Sequence, residues 1–588
     1  MPKKNKKKKS SSKKKGNKNK KNKNINIAAE LEENKIALQN YINIIQEVCV
    51  SATSESWTTW HRITDLTKNI DNVMNLQNKI QKNSGNSSSS SSSSSSTNNN
   101  REKCIEAYHE WFMNEINNNN NSNNKKKGDK EEEESDDSKE KTANVYQSIP
   151  CKWKIQDRGN NMGFGVVATE KIAKGETIIK VPASMAITSE SALNDEDLGP
   201  NLKKDEFIVN RPTMALALYL LFEKLKGKKS KYYLFIQSLP SRFNMLPYYW
   251  TLNDFHAMRG SPSFSETIKT VCMFGYAYAY LHKKLLMNEY TFENNKDVLT
   301  ANTFLLSDFR WAISCVVSRQ NPLPSPVDPS KTTLALIPIF EMLNHQPKSC
   351  SPSYLANEKC AIIETTCDYE KDDEIFMVYG RRPNRELLIY SGFVMKDNQY
   401  NNVIIRLKLN DALARIRMLV LKRENILPTS FGNYIFHLEQ NGMPSKNLWY
   451  FAHVAGMDKN ALTIAMRMSD EEDNEVREKC LTGRDRIIDG TRASALHLII
   501  QYENQLIKNM LDLKTSSGKH LTKNGSSTST STLGLVENLI ASEYTCLLNS
   551  VQWCNTVGKV NEIVGYSQME ILNQELIEKM RKAKNENE

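Results

Sequence analysis

The sequence predicts an α+β fold, and three observations carry that prediction. Short strand-like runs joined by a glycine turn begin at Gly163 and return between Cys360 and Val378. A helical, aromatic-rich insertion of about residues 207–302 separates them. From Asp411 onward the apolar spacing is helical again. Strands, a helical insertion, strands and then a helical unit make an α+β organisation, not a regular βα alternation.

Composition narrows the function classes. The chain has 588 residues, 39% hydrophobic and 25% charged, enough for several domain-sized units. Its net charge of +11 suggests a nucleic-acid or membrane partner at first sight. Residues 1–24 alone hold 13 lysines and no acid, however, so the remainder sums to −2. A lysine run without interleaved aromatics reads as a solvated tail or a localisation signal, so no nucleic-acid partner is expected. The apolar stretches Met214–Phe222 and Leu334–Phe340 fall short of the roughly 20 residues a spanning helix needs. No apolar run follows the first lysines, so neither a membrane partner nor a secretory signal is expected. The 11 cysteines are scattered and contain no C-x-x-C pair, which points to free thiols in a reducing compartment. The nine histidines make no H-E-x-x-H, and no metal is expected. A cytoplasmic monomer is the expectation, with the lysine run able to send a fraction to the nucleus.

The elements follow in order. Residues 1–26 form a Lys-rich tail with too little apolar surface to offset the entropy of ordering it. Residues 27–116 carry N-terminal helices. Ile27, Leu31, Leu38, Ile42 and Ile45 recur at helical spacing, as do Ile63, Leu66, Ile70 and Val73. A Ser-rich linker (83–100) interrupts them, and a third helix, Arg101–Ile116, carries Tyr108 and Trp111. Residues 117–146 are a low-complexity insert, and 514–533 is another such segment. Residues 147–400 form the strand-rich domain, with Gly163–Thr169 and Thr177–Pro182 as strands about the turn Ala173–Glu176. Met214–Leu225 and Thr270–Leu286 are its clearest helices, and Ile362–Thr365 and Glu374–Val378 its later strands. Residues 401–588 are expected to be helical throughout.

Four separated motifs point to chemistry. They are Gly163-Phe-Gly165, Ser318-Arg-Gln-Asn321, Leu336-Ile-Pro-Ile-Phe-Glu-Met-Leu-Asn-His345, and Glu374-Ile-Phe-Met-Val-Tyr-Gly-Arg-Arg-Pro-Asn384 running into Ser391-Gly-Phe393. Alone, each reads as a strand turn, a core aromatic or a surface arginine. Together and in this order they resemble the SET-domain methyltransferases. The helical insertion and the helical C-terminal unit make the chain similar to the Rubisco-methyltransferase-like branch, and within it to the actin-histidine-directed members. The resemblance runs from about Arg101 to at least Phe451. No cysteine cluster follows Phe393, unlike many histone-directed members.

The resemblance implies S-adenosylmethionine as cosubstrate and a C-terminal substrate-binding domain. It implies that Arg101 and Arg319 bind the cosubstrate, the former at its carboxylate. Met162, Gly163 and Phe164 would line it, glycine allowing close backbone approach. Phe340, Glu341, Met342, Leu343, Asn344 and His345 would form the loop around its amino group and adenine, with Ser391, Gly392 and Phe393 closing over the ring. Tyr379 would be the active-site tyrosine, and Asn321, Phe340, Tyr379 and Arg382 would meet the substrate.

The identity of the nucleophile turns on Asn321. A lysine, of pKa about 10.4, must lose a proton before it attacks, whereas an imidazole, about 6.5, is already mostly neutral near pH 7. An imidazole needs orientation, and an asparagine amide can hydrogen-bond one ring nitrogen. Lysine-directed relatives tend to have phenylalanine there. The sequence therefore leads to a protein-histidine N-methyltransferase with actin as substrate. Two alternatives stay open: a lysine methyltransferase on the same fold, and a catalytically silent adaptor working through its helical domain. Two positions depart from the actin-directed pattern, Phe340 standing for a tryptophan and Phe274 for an arginine that contacts the peptide.

Overall fold

A computed structural model of the chain describes residues 29–49, 60–83, 97–128, 151–159, 162–325, 328–430, 432–467, 504, 508 and 531–558. The Lys-rich tail, the serine run and most of the two other low-complexity segments lie outside these. The chain divides into two compact units, one of residues 1–243 and 269–380, the other of 244–268 and 381–588. Residues 381–400 thus group with the second unit.

The first unit opens with helices α1 (29–49), α2 (Trp60–Asn83) and α3 (Thr97–Gly128). Their apolar stripes follow the predicted spacing in part, with Leu31 and Ile70 half-buried and Ile27 outside the described residues. Leu38, Ile42 and Ile45 of α1 are buried, and so are Ile63, Leu66 and Val73 of α2. Gln77 stitches α2 inward, its Nε2 donating to Tyr278 Oη at 2.8 Å and its Oε1 accepting from Leu306 N at 3.0 Å. Helix α3 is longer than expected, continuing through the asparagine run to Gly128.

Nine of the strands of this unit pair into three small antiparallel sheets. In the first, β1 (Trp153–Asp157) pairs with β2 (Phe164–Ala168), which also pairs with β10 (Glu374–Ile375). The second joins β3 (Thr177–Pro182) to β9 (Cys360–Glu364) and β8 (Pro352–Leu355). The third joins β4 (Ile187–Thr188) to β6 (Thr332–Leu336) and β5 (Asn321–Pro324). Gly175 lies at φ +82° in the turn before β3, a conformation that favours glycine. A remaining strand, β7 (His345–Cys350), has both its ends bridged to Met377. The loop 345–350 therefore wraps the stretch that leads to Tyr379.

The helical insertion holds the apolar core. Helix α4 (Pro212–Lys226) begins on proline, which fits the first turn because no N–H is needed there. Every residue from Met214 to Glu223 is buried. Burying a Leu or Phe side chain is worth roughly 1.5–3 kcal/mol, so this helix alone is a large share of the core. Helix α5 (Phe264–Leu286) supplies Tyr278 and Phe274, and α6 (Leu306–Arg319) packs against α4.

In the second unit the expectation of helix throughout needs correction. Strands β11 (Asn402–Lys408) and β12 (Asn433–Glu439) form an antiparallel pair over seven residues each. In β12 the buried side chains are Tyr434, Phe436 and Leu438, alternating with more exposed neighbours. That two-residue period was present in the sequence and outweighs helix propensity. The pair packs with α7 (Ala414–Arg423), α8 (Lys446–Gly456) and α10 (Thr532–Gly558), and α9 (Lys459–Arg467) lies against α7. Tyr434 and Phe436 meet Phe451 at ring distances of 4.9 and 5.1 Å. Among the described residues, no helix is long and apolar enough to cross a membrane.

Candidate active site

Two arginines that form no ion pair among the described residues mark the site in the first unit, with Asp157 within electrostatic reach of Arg101 and Glu341 of Arg319. Arg101 on α3 places its guanidinium 4.8 Å above the Phe164 ring, and Arg319 at the end of α6 places its own 5.4 Å from Phe243. The Nε atoms of both are buried without a hydrogen-bond partner among the described residues. Arg319 Nη1 reaches only its neighbour, Ser318 Oγ, at 2.7 Å. Burial first, and then the like charge of Arg319, pulls the Arg101 pKa below its ordinary value. Two desolvated cations held close together are costly unless an anion joins them.

The glycines beside them have different reasons. Gly163 sits at φ +72° with open space where a side chain would project, so backbone can approach a ligand there. Gly165 has no room instead. A Cβ there would lie 2.5 Å from Glu374 Oε1 and 2.9 Å from Arg158 Cγ. Glu374 is buried, pairs with Arg158 Nε at 2.7 Å, and accepts from Asn344 Nδ2 at 2.8 Å. The same Nδ2 lies 3.4 Å from Phe164 O. This network ties β2, β10 and Asn344 together. Arg158 and Glu374 went unrecognised in the sequence, where Glu374 reads as the end of a charged turn. The signal that could have found it is Gly165, a strand glycine whose absent side chain implies a close neighbour.

The loop from Ile339 to His345 carries the next group. Ile339 adopts φ +73°, a backbone strain on the order of 1–3 kcal/mol for a β-branched residue. Its N–H donates to Tyr108 Oη at 2.8 Å, and that hydroxyl donates to Glu341 Oε1 at 2.7 Å. Glu341 is buried, its Oε2 has no partner among the described residues, and burial pushes its pKa up to about 8. Phe340 and Leu343 are fully enclosed and Met342 nearly so. Tyr379 donates its hydroxyl to Leu343 O at 2.8 Å and its N–H to His345 Nδ1 at 3.1 Å. The two rings stack at 5.0 Å. Asn321, at the start of β5, donates Nδ2 to Arg319 O at 3.1 Å. A carbonyl can only accept, so this bond fixes which end of the amide is nitrogen and leaves Oδ1 as the acceptor.

A family-level match fits this arrangement. Residues 163–380 match the model of the SET domain. This region is a SET domain. Its wrapped loop 345–350 and the Tyr379 stretch inside it belong to the matched residues.

Curated relatives match over a longer stretch than the family model. Over 304 residues the chain is 31% identical to the actin-histidine N-methyltransferase of Danio rerio, covering 51% of this chain and 49% of that protein. The Mus musculus protein of the same name is 32% identical over the same length. The chain thus spans about half the length of the curated relatives it matches. Among solved structures, the SET domain of LSMT bound to lysine and AdoHcy superimposes with a TM-score of 0.57 at 13% identity, covering 80% of this chain and 95% of that one. Rubisco LSMT bound to AdoMet gives 0.54 at 13% identity, with 81% and 99% covered. The fold is that of these SET proteins, α+β with helical regions.

The first unit thus brings together Arg101, Gly163, Phe164, Arg319, Asn321, the 340–345 loop and Tyr379, with Met162 half-exposed beside Gly163. Arg382, Ser391, Gly392 and Phe393 belong to the second unit. There a π-helical turn, Leu387–Ser391, ends on Gly392 at φ +77°, and Ser391 Oγ is buried without a partner. Phe274, at the departing position on α5, is buried and not on the surface.

Proposed function

We propose that the chain is an S-adenosylmethionine-dependent protein-histidine N-methyltransferase acting on actin. The observation that carries the histidine reading is the Asn321 amide, oriented by Arg319 O so that it offers Oδ1. An acceptor at that place selects the imidazole tautomer whose N–H points to it. The opposite nitrogen is then left with its lone pair outward, ready for in-line attack. A lysine amine could donate to the same oxygen, but it would first have to lose a proton, for which Asn321 offers no base. The substrate name is supported by the relatives of 31–32% identity, which carry it.

The residues present fit the cosubstrate. Arg101 and Arg319 suit a carboxylate, which would supply the anion that their buried Nε atoms lack. Gly163 would admit backbone close to it, and Asn344 and His345 would hold it largely through main-chain atoms. S-adenosylmethionine supplies an electrophilic methyl group on a sulfonium when bound. Tyr379, its proton engaged by Leu343 O, would present phenol oxygen as an acceptor beside the transfer path. Asn321 keeps the substrate ring oriented through the reaction. When the ring nitrogen gains the methyl group, the N–H on the Asn321 side becomes acidic and its proton leaves to solvent. No general base is needed, because the substrate imidazole is already neutral near pH 7.

The test is tandem mass spectrometry of unmethylated monomeric actin after incubation with the protein and S-adenosylmethionine. The expected result is a methyl group on one histidine, lost by 10²-fold or so in Asn321→Phe and reduced in Tyr379→Phe. Methyl on lysine would replace the histidine reading with the lysine one. Bound cosubstrate without any transfer would favour the silent adaptor.

A further inference from the structure

Helix α3 carries two residues aimed at the site, seven positions apart. Two helical turns separate Arg101 and Tyr108, so both project from one face. Arg101 lies over Phe164, while Tyr108 is wholly buried and sends its hydroxyl to the turn at Ile339 and Glu341. Packing alone does not explain that hydroxyl. The ring already stacks with Trp111 at 5.8 Å and meets Phe235 at 5.9 Å, contacts a phenylalanine would make equally well. Nor does stability explain its partner. Glu341 is a buried carboxyl group with one oxygen unpaired among the described residues, an expensive choice where an apolar side chain would fill the space. What the pair does accomplish is geometric. It fastens α3 to both sides of a strained residue, at the start of the loop that ends in Asn344 and His345.

We propose that Tyr108 is a positioning residue for the cosubstrate, locking the helix that carries Arg101 to the turn that carries Asn344. The proposal rests on the methyltransferase reading of the same site. Arg101 sits on a helix whose ring contacts, Tyr108 with Phe235 and Phe112 with Trp153, tolerate small slides and rotations. A hydroxyl held by one donor and one acceptor does not tolerate them. Tyr108 thereby sets where the Arg101 guanidinium stands, although it touches no ligand itself.

The experiment is calorimetric titration of the full chain with S-adenosylhomocysteine, for wild type, Tyr108→Phe, Arg101→Lys and the double variant. Tyr108→Phe keeps the ring, so its packing survives. The expected result is about tenfold weaker binding in Tyr108→Phe. In the double variant the two losses should combine to clearly less than their product, because both act on one guanidinium. With actin as substrate, KM for S-adenosylmethionine should rise while kcat changes less than about twofold. A lower melting temperature with unchanged affinity, or losses that multiply, would overturn the proposal. A wild-type chain that binds no S-adenosylhomocysteine would sink the methyltransferase reading itself, and this proposal with it. If Tyr108→Phe does not fold, Glu341→Leu reads the same bond from its other end, and unchanged affinity there overturns the proposal equally.

Discussion

Each unit has a buried glutamate whose pKa burial raises, and the two are bonded differently. Glu543, on α10 of the second unit, accepts from Ser261 Oγ at 2.6 Å on one oxygen and from Ser263 Oγ on the other. Glu341 in the first unit has Tyr108 on one oxygen and nothing on the other. Burial raises both, Glu543 to about 7 and Glu341 to about 8. The first is a finished structural joint, its lone pairs answered by short side chains. The second stands within electrostatic reach of Arg319, whose Nε, like that of Arg101, has no hydrogen-bond partner among the described residues. The lesson is that unanswered polar atoms gathered in one place mark where a ligand belongs, whereas answered ones mark where the fold is closed.

The strongest way to break that comparison is Arg319→Met. If the arginine is held for a ligand, cosubstrate affinity should fall 100-fold or more, while the melting temperature holds or rises. Calorimetric titration and a thermal melt on one sample check both; a collapse of stability with affinity intact would make Arg319 structural. Next in size is Gly165→Ala. The added methyl meets Glu374 Oε1 at 2.5 Å, so the buried Arg158–Glu374–Asn344 network must shift. The expected cost is about 2–3 kcal/mol in urea unfolding, with weaker cosubstrate binding because Asn344 moves.

The smallest effect sharpens the glutamate pair directly. A carboxyl whose pKa is raised from about 4.5 to about 7 keeps its proton in the folded chain after the unfolded chain has lost it. Its contribution to stability therefore falls as pH rises through that window and is level above it. Glu543→Gln should remove that slope, giving about 1–2 kcal/mol more stability than wild type at pH 8 and little difference at pH 4.5. Cosubstrate affinity should not change. Glu341→Gln should remove a similar slope extending to about pH 8, and should change affinity as well. Equal behaviour of the two variants in binding would erase the distinction between joint and site.

Much of the fold was legible because its signals are local. Thr177–Pro182 is the strand that the sequence predicts, residue for residue, since a glycine turn precedes a run rich in β-branched residues. Helices α4 and α5 were visible from their periodicity. The β11–β12 pair was missed although Tyr434, Phe436 and Leu438 alternate, because a helical context on both sides outweighed seven residues of period two. In the site, the motif residues were named in advance through their order along the chain. The bonds that organise them were not. Tyr108 meets Glu341 across 233 positions, and Arg158 meets Glu374 across 216. Nothing local in a sequence records which acid is buried against which phenol or arginine.

The wrapped loop 345–350 has a consequence for how this chain comes off the ribosome. Strand β2, made early, finds its partner β10 only when Glu374 and Ile375 have emerged. Tyr379 arrives last and must be enclosed by a loop already synthesised, whose two ends both close on Met377. Until then the nascent first unit holds Asn344 without Glu374, the carboxylate that accepts from it and ties it to β2 and β10. A ribosome stalled before Glu374 would present most residues of the site without the acid that joins Arg158 and Asn344.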